Sequence, residues 1–470
     1  ELRRRAGRRR ADGPQRRVMY NPVVWLTGNQ ADLPHWLVGA PGVQVISVPR
    51  PLLADRLIGA RSIVPQLPGG ADLDSAEQEK LAQQLAFDAD GLSLSEMRAA
   101  MMLARDRAIP AREFEQALSL QRYGLRRSPW QDPQIRSRVA QAESVLRTAV
   151  IGQERAVAKA VDILARSALG LSGAHSGSHP GRPQGVLFLA GPTGVGKTEL
   201  AKQIANLVFG RADALVRFDM SEFSSEHTQA RLLGSPPGYI GHEAGGELTN
   251  AVRDKPFSLL LFDEIDKADP RILDKFLQIL EDGRLTDGAG STVDFGQTMI
   301  IFTSNLGTLE KQADGTIRRV SYHTQADTFE DTVLANVRQT FIDGMKRPEL
   351  LNRIGEKNIL VLHYLSEEAA RSIADRDLDT VRDTIRQATG VEVTVDDDAR
   401  REVHAAVTQL PVLYNGGRGV GAEIEQLVVN PLSRALIAEP EAGAVTVTAG
   451  SPDGQLAFRI TAGLVKAVGR

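Results

Sequence analysis

Gly191-Pro-Thr-Gly-Val-Gly-Lys197-Thr198 constrains this chain more than any other stretch. Its spacing, G-x-x-x-x-G-K-[ST], has a physical reason. The glycines let the backbone N–H groups of Gly191, Thr193, Gly194, Val195 and Gly196 curl round a β-phosphate. Lys197 then reaches the β and γ oxygens, and the Thr198 hydroxyl can ligate Mg²⁺. The apolar run Val186–Ala190 before the loop reads as a buried parallel strand, and the ten residues from Thr198 carry apolar side chains at helical spacing. The loop therefore opens a helix whose N-terminus favours anions. A strand–loop–helix unit of this kind commits the surrounding chain to an α/β fold, a parallel sheet with helices on both faces.

A second apolar run, Ser258–Phe262, ends in Asp263-Glu264. Hydrolysis of a nucleoside triphosphate needs Mg²⁺ near the β/γ-phosphates and a group that orients and deprotonates water. An acidic pair at the carboxyl end of a parallel strand supplies both, where open α/β sheets bind ligands. Asp263 is assigned to the magnesium and Glu264 to the water. A third apolar run, Met299–Ser304, ends in Asn305. A neutral amide there could hold the lytic water, or it could simply form the turn that Asn305-Leu-Gly307 suggests. Spacing alone leaves both readings open.

Composition sets outer bounds. A length of 470 residues suggests roughly three domains. A net charge of −3 gives no bulk attraction to nucleic acid or anionic membrane. With no cysteine, disulfides, thiolate metal sites and cysteine nucleophiles are excluded. No apolar run reaches the roughly 18 residues of a membrane span, and a cytoplasmic setting is expected. The arginine-rich start, Leu2–Arg10 with Arg16 and Arg17, reads as a solvated segment rather than a polyanion site, because few aromatics are interleaved for base stacking. His175 and His179 lack a third ligand nearby, so they are not taken as a metal site.

Together, Val150-Ile-Gly-Gln-Glu154, the phosphate loop with Glu199-Leu200, Leu261–Ala268 and Asp282–Asp287 resemble the second ATPase module of Clp-type AAA+ unfoldases, the ClpB type above all. The likeness runs from about Val150 to Thr461. It implies ATP and Mg²⁺ as ligands and a P-loop NTPase (AAA+) core with a helical lid. By the same resemblance Val150 and Ile151 are adenine-pocket residues, and Glu199 belongs to the nucleotide loop. Pro348–Ile354 is similar to the family's arginine-finger segment, which implies that Arg353 reaches the γ-phosphate held by a neighbouring subunit, with Arg347 a second basic position. Gly416-Gly-Arg418-Gly resembles the family's lid arginine motif, so Arg418 should sense the phosphate within its own chain. The family usually continues with Pro-Leu and a basic residue, and this chain has Gly419–Glu423 instead, which loosens that helix start.

Gly234–Leu248 is too rich in proline and glycine for a regular element. Its aromatic, Tyr239, is either a plug tucked into the core or an exposed paddle. The segment resembles the family's pore loop, which implies that Tyr239 and Ile240 grip a threaded polypeptide. A second polar loop, Thr286–Asp294, would line the same channel, and its glycines suggest mobility. Residues 307–320 contain no docking tripeptide of the kind that protease-coupled relatives carry, so no contact with a Clp-type peptidase is expected.

In the first third, Val23–Asn29 and Val43–Val48 read as strands, and Leu81–Leu85, Ser93–Arg105 and Pro110–Leu120 as helices. Phe87–Met97 resembles a lid segment of AAA ATPases. The resulting division is residues 1–50, the C-terminal part of a truncated first AAA+ core; 51–125, its helical lid; 126–149, a helical linker; 150–360, the second large domain; and 361–470, its small lid domain. An independent α/β adaptor domain over the first third, or a degenerate first module that serves only to assemble the ring, are the alternatives. Residues 171–184 form a loop within the large domain. The expected activity is ATP-driven unfolding of polypeptide by a homo-oligomeric ring, a hexamer by family likeness. The alternatives are a nucleic-acid remodelling motor, disfavoured by the tyrosine–glycine loop, or a nucleotide-regulated scaffold, disfavoured by Lys197, Glu264 and Arg353.

Overall fold

The computed structural model describes residues 8–10, 18–20, 23–26, 37, 40, 43–46, 50–123, 129–172, 182–235, 245–288, 290–311, 317–321, 326–439, 442–449 and 456–462. At the start, β1 (Arg8–Arg10) and β2 (Val18–Tyr20) pair antiparallel. Of the strands expected at Val23–Asn29 and Val43–Val48, residues 23–26 and 43–46 are among those described, and these are irregular and mostly exposed. An apolar run becomes a parallel strand only where neighbours supply a ladder and cover both faces, and among the described residues none does so here.

Four helices follow, α1 (Leu53–Ile63), α2 (Ser75–Asp88), α3 (Leu94–Asp106) and α4 (Phe114–Tyr123). Each expected helix is present, and the caps explain the starts. The Asp74 carboxylate accepts from the Glu77 N–H, and Ser93 and Glu96 form a reciprocal capping box. Ala60, Ile63, Leu85, Met97, Met101, Phe114 and Leu118 close into a separate core. Next, α5 (Pro133–Ala140) and α6 (Ala142–Ala149) are short helices that do not stand free. Trp130, Ile135, Val139 and Leu146 join the core of the following domain. The Trp130 indole N–H donates to the Gln297 carbonyl at 3.0 Å, which satisfies its buried polar edge.

The central domain begins with α7 (Glu154–Ala168), β3 (Gly185–Ala190) and α8 (Lys197–Phe209). It continues through β4 (Leu215–Asp219), α9 (Glu226–Leu233), α10 (Glu247–Asp254), β5 (Leu259–Asp263) and α11 (Pro270–Asp282). The hairpin of β6 (Arg284–Thr286) and β7 (Thr292–Asp294) precedes β8 (Met299–Ser304). A second small hairpin pairs β9 (Leu309–Lys311) with β10 (Ile317–Arg319). Then come α12 (Ala326–Gln339), α13 (Pro348–Ile354) and β11 (Ile359–Val361).

The sheet order is β11-β3-β8-β5-β4, with every pairing parallel. Alternate residues serve opposite faces, as a period of two requires. Phe188, Leu260, Phe262, Ile300 and Phe302 pack under α11 and α12. Leu187, Leu189, Leu259, Leu261 and Ile301 pack under α7 and α8. Burial on both faces explains why these strands read as unbroken apolar runs.

The C-terminal domain comprises α14 (Glu367–Thr389), β12 (Glu392–Val395), α15 (Asp397–Val407), α16 (Leu410–Tyr414), α17 (Gly416–Ile424), α18 (Asn430–Ala438), β13 (Ala442–Thr448) and β14 (Ala457–Ala462). Helices and a three-stranded sheet make up this region, which the sequence reading takes as a small lid.

Candidate active site

The carboxyl ends of β3, β5 and β8 meet the N-terminus of α8, with residues of α14 and α17 beside them. A cavity of about 590 Å³ opens there, lined by Val150, Ile151, Thr193 to Glu199, Asp263, Glu264, Asn305 and Arg418, with Arg217, Thr303 and Arg376. The structure therefore brings together all but four of the sequence-derived site residues. Gly191 lies just behind the wall. Tyr239 and Ile240 fall outside the described residues, as do His175 and His179. Arg353 is elsewhere.

The loop is shaped by its glycines. Gly194 has φ +80°, and a Cβ there would come 2.2 Å from the Asn415 carbonyl oxygen. Only glycine accepts both the left-handed backbone and that close approach. The approach is productive, because the Gly417 N–H donates to the Gly194 carbonyl at 2.9 Å. The lid thus holds the phosphate loop by a backbone hydrogen bond one residue from Arg418. At the other end, Gln153 is buried and bidentate. Its Nε2 donates to the His363 carbonyl, and its Oε1 accepts the His363 N–H, both at 2.9 Å. That clamp fixes the segment carrying Val150 and Ile151 against the first residues of the lid.

Lys197 Nζ donates to the carbonyls of Gly191 and Pro192 at 2.7 Å and to Asn305 Oδ1 at 2.8 Å. Burial pushes its ammonium down to about 8, the Arg418 guanidinium adds to the effect, and the Asp263 carboxylate opposes it. The contact places Asn305 at the phosphate end of the cavity. Asp263 is nearly buried: its Oδ1 accepts from the Thr303 hydroxyl, and its Oδ2 accepts from Arg217 Nη2 at 2.6 Å. Glu264 follows in a left-handed backbone (φ +55°), with its N–H donating to Thr303 Oγ1 at 3.2 Å. A non-glycine residue held there costs of order 1–3 kcal/mol, and such strain clusters at functional positions.

Would a nucleotide and Mg²⁺ fit? The glycine loop leaves a concavity that side chains would fill, and Lys197 and Arg418 supply positive charge beside it. Thr198 and Asp263 offer the hard oxygen donors that suit Mg²⁺. The donor set fits.

Arg353, on α13, pairs with Glu281 on α11 and is exposed. Arg347 pairs likewise with Asp274. Neither lines the cavity. Asp287, in the loop read as polar and mobile, has a buried carboxylate that accepts the Ser291 N–H at 2.8 Å, so the described part of that loop is a tied turn. Among residues that sequence reading missed, Thr303 carried a weak signal, a polar position closing an apolar strand. Arg217 and Arg376 carried none, since a charge on an edge strand or a lid helix is usually a solvated face.

Residues 182–357 match the family "AAA domain (Cdc48 subfamily)", and residues 5–49 match "AAA+ chaperone, N-terminal Rossmann-like domain". The chain is 42% identical over 303 residues to chaperone protein ClpB of Vibrio cholerae, covering 64% of this chain and 33% of that protein. Identity to chaperone protein ClpB of Aquifex aeolicus is 38% over 322 residues, 67% of this chain and 30% of the relative. Chaperone protein ClpC2, chloroplastic, of Arabidopsis thaliana is 44% identical over 242 residues, 51% of this chain and 24% of the relative. The matched region thus spans about a third or less of the length of these relatives.

Proposed function

Because the chain carries a nucleotide-binding AAA+ module of the Clp kind, we propose that it is an ATPase that uses hydrolysis to unfold and thread polypeptide through a ring of like subunits. The observation that carries this reading is the convergence of Lys197, Asp263, Glu264, Asn305 and Arg418 on one cavity at the carboxyl end of a parallel sheet.

In this reading Val150 and Ile151 hold adenine, and the backbone of residues 191–196 and Lys197 hold the phosphates. Thr198 and Asp263 would hold Mg²⁺, which when bound neutralises charge on the β- and γ-phosphates. Glu264 takes the proton of the attacking water, and Asn305 holds that water in line. Arg418 follows the phosphate from the lid, and the Gly417–Gly194 hydrogen bond couples its movement to the loop. Arg353 is placed to serve a neighbouring subunit, since it is exposed and away from its own chain's cavity. That placement supports a ring, six-membered by family likeness, with Tyr239 and Ile240 facing its channel. Residues 5–49, matching a Rossmann-like chaperone domain, support reading the start as part of a further module. We read the setting as cytoplasmic, with no peptidase partner; among the described residues no helix is long and apolar enough to cross a membrane.

Glu264→Gln tests the reading. Hydrolysis should fall by about 10²–10⁴, the usual worth of a general base, while ATP stays bound. A fluorescent unfolded protein should be retained by the ATP-loaded Glu264→Gln form and lost on adding Tyr239→Ala. Undiminished hydrolysis would sink the assignment of Glu264, and retention without Tyr239 would sink that of the paddle.

A further inference from the structure

Arg217 lies on β4, the edge strand of the sheet, opposite Leu261 of β5, with Asp219 opposite Asp263. Its guanidinium reaches across to Asp263 Oδ2 at 2.6 Å. Among the described residues no other cation pairs with that carboxylate. Lys197 is turned to Gly191, Pro192 and Asn305. The two partners differ in freedom, because the Asp263 side chain is 11% exposed and that of Arg217 is 50%. The carboxylate stays in place, and the arginine can leave. It also has somewhere to go, since the same Nη2 stands 3.9 Å from Asp219 Oδ2.

We propose that Arg217 is a positioning residue that stands in for a divalent cation on Asp263 and swings to Asp219 when the cation arrives with nucleotide. The inference rests on the nucleotide reading given above. A nearly buried carboxylate without a counter-charge is costly, and Thr303 occupies its other oxygen. Arg217 keeps Asp263 paired, facing the cavity and unavailable until a stronger cation competes. The guanidinium and the metal therefore share one site by exclusion, which makes the apparent metal affinity lower than the intrinsic one.

The test measures binding of a fluorescent ATP analogue to the full chain while free Mg²⁺ is varied against EDTA. If the guanidinium occupies Asp263 in about nine of ten molecules, Arg217→Met lowers the half-saturating Mg²⁺ about tenfold. In EDTA the same variant binds the analogue more weakly, because Asp263 then repels the phosphates unshielded. Arg217→Lys, which keeps the charge, restores behaviour toward the original. Asp219→Asn removes the second station and raises the Mg²⁺ requirement. An unchanged or raised half-saturation in Arg217→Met overturns the proposal. Should that variant fail to fold, an Asp219→Asn form with unaltered Mg²⁺ dependence overturns it equally. If the unaltered chain does not bind the analogue, the nucleotide reading itself falls; if it binds with the variants indistinguishable, only the role of Arg217 falls.

Discussion

Arg418 and Arg353 carry the same guanidinium, yet one lines the cavity and the other sits on the face of α13 paired with Glu281. Around Arg418 the lid and the phosphate loop touch through backbone atoms, and Lys197, Asp263 and Asn305 are fixed by short hydrogen bonds. Around Arg353 there is an exposed carboxylate and solvent. Convergence and burial make a site, and charge alone does not. The half-built region is nevertheless informative, since an arginine left at a surface is available to a second molecule.

Removing Arg353 puts the greatest strain on this contrast. Arg353→Ala should lower turnover by about 10³–10⁵ if the side chain acts as an arginine finger. Nucleotide affinity of a dilute, unassembled subunit should be unchanged. An equal loss of affinity on dilution would place Arg353 in its own chain's pocket and break the contrast.

Next in size is Gly194→Ala. A Cβ at φ +80° within 2.2 Å of the Asn415 oxygen must push the lid from the loop. Strain of about 1–3 kcal/mol is expected, seen as a lower Tm and weaker nucleotide binding together. A Tm loss with binding intact would show that the lid contact is only structural.

Glu281→Gln should do least. Exposed ion pairs contribute about 0–1 kcal/mol, so the Tm should barely move, and turnover should hold or rise slightly as Arg353 is freed. A large fall in Tm would mean that Glu281 and Arg353 brace α11 against α13.

The cavity floor was legible in the sequence because its residues are contiguous or end apolar runs. The loop through Thr198, Asp263-Glu264 and Asn305 each close a buried strand, and strand ends converge in a parallel sheet. For Asn305 spacing left two readings, and both stand: its side chain accepts from Lys197 at 2.8 Å while the backbone turns at residues 306–307. Arg217 was illegible because its meaning lies across a strand pairing, where only register puts it beside Asp263. Residues 23–26 and 43–46, within two expected strands, are irregular for a related reason. Apolar composition reports a wish to be buried, while a ladder depends on what lies alongside. Helices needed no such partner, and Ser93 with Glu96 announced one start from within four residues.

One feature of the helical bundle reaches further than its size suggests. Asp90 accepts a 2.9 Å ion pair from Arg56 within the bundle and a 3.2 Å pair from Arg284, the first residue of the β6–β7 hairpin. A single carboxylate therefore works as a strut between two bodies. Pulling the hairpin away would free Arg284 and leave Asp90 with Arg56, so α1 and the hairpin, more than 200 positions apart in the chain, share one carboxylate.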